Sequence, residues 1–130
     1  MENHRLTIRI DLASGVRVGP GKIALLEAIA AAGSIAGAGR VLKMSYKRAW
    51  DLVEEMNGNF GAPLVSKAPG GSNGGGAQLT ESGRALVKHY REIELAAHDA
   101  AARPLRAVGR LGLAGAGHAG DVDKSGDDAP

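Results

Sequence analysis

No cysteine occurs in the chain, which excludes disulfides and thiolate metal centres. No apolar segment near the start resembles a secretory signal, because Glu2 and Arg9 stand where such a segment needs uncharged residues. The longest apolar stretch, Ile23 to Ala32, is broken by Glu27 and is too short to cross a bilayer. A soluble, cytoplasmic chain with no membrane partner is the expectation. His4, His89, His98 and His118 are scattered, with no pair at metal-ligand spacing. Asp121, Asp123, Ser125 and Gly126 imitate the first half of a calcium loop, but the bidentate glutamate needed at its twelfth position would fall beyond Pro130. There is no Gly-Lys-Ser/Thr ending to a phosphate loop and no serine, histidine and carboxylate nucleophile pattern. Enzymatic activity, a metal and a cofactor are therefore not expected.

What is present suits one folded domain of 130 residues with ordinary apolar (44%) and charged (23%) fractions. The net charge of +2 hides an uneven distribution. Leu111 to Pro130 hold four aspartates and one lysine, and the remainder carries 15 basic and 10 acidic groups.

The basic bias is concentrated where two helices are expected, from Ser34 to Asn57. Ser34 can cap the first, which places Ile35, Ala38 and Val41 or Leu42 on one face. Ser45 can cap the second, Ser45 to Asn57, with Ala49, Val53 and Met56 as its apolar stripe. Tyr46, Lys47, Arg48 and Trp50 fall on the other side and have little reason to enter a small core. Arg40, Lys43, Lys47 and Arg48 cluster at the junction with no acid among them. Cations at a helix N-terminus oppose its dipole, so stability does not explain Lys47 and Arg48, whereas a phosphate backbone does. In a helix-turn-helix the first turn of the second helix carries the residues that read base edges. The bland alternative is a helical hairpin with a solvated basic corner.

Around this centre, Leu6 to Leu12 alternates as a half-buried strand, and Val16 and Val18 continue as a second. Pro20 opens a first helix whose buried face is Ile23, Leu26 and Ala30, flanked by Leu25 and Ile29, with Gly33 as its stop. Gly37 and Gly39 each cost about 1 kcal/mol in a helix and read as close-packing positions. Short strands at Pro63–Lys67 and Ala77–Leu79 flank the Gly70–Gly76 tip, which together read as a wing; a plain flexible linker is the alternative. Thr80 caps a last helix that is expected to stop before Pro104. Its stripe of Leu86, Tyr90, Ile93, Ala97 and Ala100 has heptad spacing suited to a dimer seam. The expected organisation is residues 1–103 as the domain with its dimer helix and 104–130 as a disordered tail rich in alanine, glycine and aspartate.

Met44-Ser45-Tyr46-Lys47-Arg48-Ala49-Trp50, then Glu55-Met56-Asn57, the glycine tip, and Leu79-Thr80 with Gly83-Arg84 resemble the N-terminal domain of the molybdate-responsive ModE-type regulators. These are themselves similar to the winged helix-turn-helix of LysR-type regulators. The resemblance covers roughly Leu6 to Glu94. It implies a mostly α fold with a small β component, a winged helix-turn-helix with a long C-terminal dimerisation helix. It implies a homodimer on double-stranded operator DNA near molybdenum-related genes, in a single-domain form. DNA contacts are expected from Ser34, Arg40, Lys43, Ser45, Tyr46, Lys47, Arg48, Trp50 and Lys67, and from Gly71, Ser72, Asn73 and Gly74 in the wing. Full-length members sense molybdate with a C-terminal oxyanion module, and the stretch after Pro104 is too short and glycine-rich to form it, so molybdate binding is not expected. The competing function is an interaction module that pairs with a full-length relative without reading DNA.

Overall fold

Three hydroxyl groups start three of the helices. Ser34 Oγ accepts from the Gly37 amide at 2.9 Å, Ser45 Oγ from Arg48 at 3.0 Å, and Thr80 Oγ1 from Gly83 at 3.0 Å. Each satisfies one of the amides that a helix N-terminus leaves without a partner. The computed structural model describes residues 4–68 and 75–114. In chain order these form β1 (Ile10–Asp11), β2 (Arg17–Val18), α1 (Pro20–Ala32), α2 (Ile35–Leu42), α3 (Tyr46–Asn59), β3 (Val65–Lys67), β4 (Ala77–Leu79) and α4 (Glu81–Ala114). This is a winged helix. Thr7–Glu94 form one compact unit; the described residues of the second are 4–6 and 95–114.

The core of the first unit lies between α1, α2, α3 and the β3–β4 hairpin, with Ile23, Leu26, Ile29, Ala38, Val53, Met56, Leu64 and Tyr90 all buried. α1 has Pro20 at its first position and ends at Gly33, whose φ of 75° is the left-handed conformation that glycine adopts without strain. Gly33 also accepts a hydrogen bond from the Ala77 amide at 2.9 Å, which ties β4 to the end of α1. Between α2 and α3 a Cβ on Gly39 would lie 3.1 Å from the Met44 carbonyl oxygen and 3.7 Å from the Ala49 Cβ. One on Gly37 would lie 2.9 Å from the Ala32 Cβ. Both glycines are close-packing positions, as expected.

The hairpin is antiparallel, with Val65 opposite Leu79, Ser66 opposite Gln78 and Lys67 opposite Ala77. Its ladder continues outward through Thr80 N–H to Leu64 O and Ala68 N–H to Gly76 O. Alternation in such a ladder turns the amide and carbonyl of Val65 away from β4. Asn57 meets them. Its Oδ1 accepts from Leu64 N at 2.8 Å and Val65 N at 3.1 Å, and its Nδ2 donates to Val65 O at 3.0 Å. α3 is thereby bonded to the base of the hairpin.

Several expectations need correction. The strand expected over Leu6–Leu12 is regular only at Ile10–Asp11, paired with Arg17–Val18. Before it, the Ile8 carbonyl is taken by the Tyr90 hydroxyl at 2.6 Å, and after it Leu12 and Gly15 close a turn. In α1, Ala30 is exposed and Ala28 is buried instead. In α2, where either Val41 or Leu42 was expected inward, it is Leu42 that packs on the core, as one of the two alternatives had it. α4 does not stop before Pro104 but continues through it to Ala114. Pro104 removes one helical amide, and the Ala100 carbonyl that loses its partner belongs to an exposed residue open to water. The flanking Ala100–Ala102 and Leu105–Ala107 are good helix formers that offset the loss. Tyr90 is fully buried within its own unit, so it is core and cannot line a seam with a second copy. Residues 115–130 lie outside the described residues.

Candidate nucleic-acid interface

α3 presents three faces. Ala49, Val53 and Met56 are buried. Tyr46 and Trp50, one turn apart, point into an open groove of about 590 Å³ bounded by Ser34, Arg40, Lys67 and Gly76. Lys47 and Asp51 lie opposite the core and pair with each other at 2.9 Å. The first turn contains no acid to complement the helix dipole, only the cations Lys47 and Arg48, which oppose it.

The aromatic rings have centroids 6.2 Å apart and planes inclined by 32°. Lys67, reaching across from β3, holds its ammonium 4.0 Å from the centre of the indole ring and pairs with the Glu54 carboxylate. A cation over an indole face is favourable electrostatically. Glu54 lies one turn beyond Trp50, so Lys67, Trp50 and Glu54 join β3 to α3 on the groove side. Glu55 on the other flank is 3.8 Å from Lys22 of α1. Each carboxylate of α3 therefore has a cation beside it. Arg40, Lys43 and Arg48 have no carboxylate partner among the described residues. They surround the turn between α2 and α3. Lys43, at its apex, has φ 60°, the only non-glycine residue with positive φ among the described residues.

The residues singled out in the sequence divide accordingly. Arg40, Tyr46, Trp50 and Lys67 share one groove with Ser34. Lys43 is exposed and outside this groove, and Ser45, Lys47 and Arg48, also exposed, line a separate shallow depression with Asp51, Leu52 and Glu55. The hydroxyl oxygens of Ser34 and Ser45 already accept helix amides, which leaves each an O–H to donate. Gly71, Ser72, Asn73 and Gly74 lie outside the described residues. Sequence reasoning missed Asn57, Glu54 and Lys22. A polar residue adjoining the Val53–Met56 stripe was the available signal for Asn57; i, i+4 spacing from Trp50 was the signal for Glu54.

Residues 21–84 match the family model "Bacterial regulatory helix-turn-helix protein, lysR family". They are a LysR-type helix-turn-helix domain. Similar chains include the molybdenum-pterin-binding protein MopA of Rhodobacter capsulatus, 48% identical over 87 residues that make up 67% of this chain and 33% of MopA. The molybdenum transport protein ModE of Azotobacter vinelandii is 44% identical over 86 residues, 66% of this chain and 32% of that protein. The chain thus spans about a third of the length of these relatives. Among solved structures, the crystal structure of a CbnR DBD–DNA complex superposes with a TM-score of 0.52 at 23% identity, covering 68% of this chain and 95% of that one. That likeness is one of fold. In the LysR-type domain, α2 and α3 are the helix-turn-helix pair and the β3–β4 hairpin is the wing.

Proposed function

We propose that this chain is a DNA-binding transcription regulator, linked to molybdenum-related genes, that seats α3 in the major groove of operator DNA and does so as a homodimer. One observation carries the reading: Arg40, Lys43 and Arg48 stand without carboxylate partners among the described residues, around the start of a helix whose opposite face is buried. Helix-turn-helix domains present base-reading residues there. Ser34 and Ser45 are positioned to donate to phosphates, and the glycine-rich loop 70–76 is assigned to the backbone as a wing. The molybdenum link rests on the names of the relatives, and no molybdate site is proposed on this chain. Localisation in the cytoplasm follows from operator binding. The homodimer is supported by α4, where Ile93, Leu95, Val108 and Leu111 are exposed apolar residues. Ile93, Ala97 and Ala100 remain its proposed seam, since Tyr90 belongs to the core and Leu86 packs in part against it.

The second reading, an interaction module that does not read DNA, draws on the carboxylates of α3, which occupy Lys47 and Lys67. An electrophoretic shift assay with promoter DNA from molybdenum-related genes, over a range of salt concentrations, separates the two. With three phosphate contacts per protomer, log K should fall against log salt with a slope of about −2.7 per bound copy. Arg48→Ala should weaken binding without lowering the melting temperature. Absence of any shift at low salt would favour the interaction module.

A further inference from the structure

Tyr46 is 55% exposed and Trp50 is 36% exposed, an apolar ledge on the one helix assigned to base reading. Neither ring contributes to the buried core, and apart from the Tyr46 hydroxyl and the Trp50 indole N–H, which sit at the ring edges, the faces they offer are apolar. Among the base edges that line a major groove, the one apolar group is the 5-methyl of thymine. We infer that Tyr46 and Trp50 form a thymine-methyl-reading ledge, so that the preferred half-site places a thymine against these rings. This rests on the proposed DNA-binding function and specifies what the site reads. Lys67 acts here as a positioning residue. Its ammonium lies over the indole and is held by Glu54, which fixes the ring before DNA arrives and so avoids ordering it on binding.

The test begins with full-length protein and a pool of random 30-base-pair duplexes. The tightest selected duplex is then remade with each thymine replaced singly by deoxyuridine, which deletes one methyl group and leaves charge and pairing unchanged. The expected result is a loss of about fourfold at one or two thymines per half-site, the worth of burying one methyl-sized group, and no loss elsewhere. Trp50→Ala and Tyr46→Ala should bind the two duplexes equally. Lys67→Ala should narrow the ratio and Lys67→Arg should restore it, because arginine also sits over an indole face. Selection of a duplex that tolerates every deoxyuridine would overturn the ledge while leaving DNA binding intact. Discrimination that survives in both aromatic variants would overturn the residue assignment. Tighter binding to the separated strands than to the duplex would make the rings a base-stacking platform and also overturn it. Failure to enrich any duplex would remove the ledge together with the function on which it rests.

Discussion

Asn57→Ala removes the side chain that fastens α3 to the base of the wing. Three hydrogen bonds disappear: those from Leu64 N and Val65 N to Oδ1, and that from Nδ2 to Val65 O. β4 cannot take over the Val65 groups, since its own bonds run to Leu64 and Ala68 on either side. Asn57 is half-buried, so water can reach some of the freed groups but not all. At a net 0.5–1.5 kcal/mol for each bond, the loss is about 3 kcal/mol. The better helix propensity of alanine returns about 0.6 kcal/mol, which leaves about 2–2.5 kcal/mol. Urea unfolding should show this as a lower midpoint at unchanged slope. Asn57→Asp is the sharper control. It keeps the acceptor for both amides but replaces the Nδ2 donor with an oxygen facing the Val65 carbonyl, and should fall between wild type and Asn57→Ala. A loss under about 0.5 kcal/mol for Asn57→Ala, at the level of an ordinary surface substitution, would refute the clamp.

Gly83→Ala should destabilise by roughly 2–4 kcal/mol, because its Cβ would lie 2.2 Å from the Leu64 carbonyl oxygen, a backbone atom that moves only with β3; calorimetry checks this, and a melting temperature within a degree of wild type would count against it. Lys43→Gly should stabilise by about 0.5–1 kcal/mol by relieving the left-handed backbone, while weakening DNA binding through loss of a cation. Opposite signs in thermal melting and shift assays would separate its two roles, and equal affinity would remove Lys43 from the interface. Glu27→Gln should cost about 0.5–1 kcal/mol near neutral pH, since Arg91 binds both Glu27 oxygens, at 2.6 and 2.9 Å, on a partly exposed surface. Hydrogen bonding to Arg91 holds the Glu27 carboxyl below its ordinary value of 4.5. The contribution is therefore complete above that value and lost as pH falls through the lower folded one. The gap between wild type and Glu27→Gln should close as pH falls below the ordinary value of 4.5 and through the lower folded one, and a gap independent of pH would exclude the pair as its source.

Local chemistry was legible in the sequence, and distant partners were not. Ser34, Ser45 and Thr80 each precede an apolar period and each caps its helix, because a cap involves only the next three residues. Gly33 before Ser34 likewise marked the end of α1. Tyr90 fitted a heptad seam equally well, since spacing along a helix does not say which neighbour covers it. Its partner, the Ile8 carbonyl, lies 82 residues away. The same bond takes the Ile8 carbonyl just before the paired residues Ile10–Asp11, in the stretch where a longer strand was expected. Pro104 was read as a stop from its missing amide alone, without the exposed alanine-rich surroundings that allow α4 to continue. For Lys67, position in the wing was readable, and its commitment to Glu54 and Trp50 was not.

That commitment changes how the basic cluster works. α3 itself carries Lys47 and Arg48 against Asp51, Glu54 and Glu55, a net charge of −1 for the helix proposed to enter a polyanion's groove. Taken alone it would be repelled. The fold answers with cations from outside the helix, Lys67 from β3 at Glu54 and Lys22 from α1 at Glu55, while Lys47 covers Asp51 from within. Arg40 and Lys43 then add positive charge at its N-terminal end, next to Arg48. On the proposed reading, attraction is concentrated at the turn and fades along α3, which favours insertion N-terminus first. The neutralised middle of the helix is left to discriminate among bases by shape, hydrogen bonds and apolar contact. Trp50 falls where that neutralised stretch begins, beside Asp51, whereas Tyr46 opens the helix next to Lys47 and Arg48, so the two rings span the change from phosphate attraction to base contact.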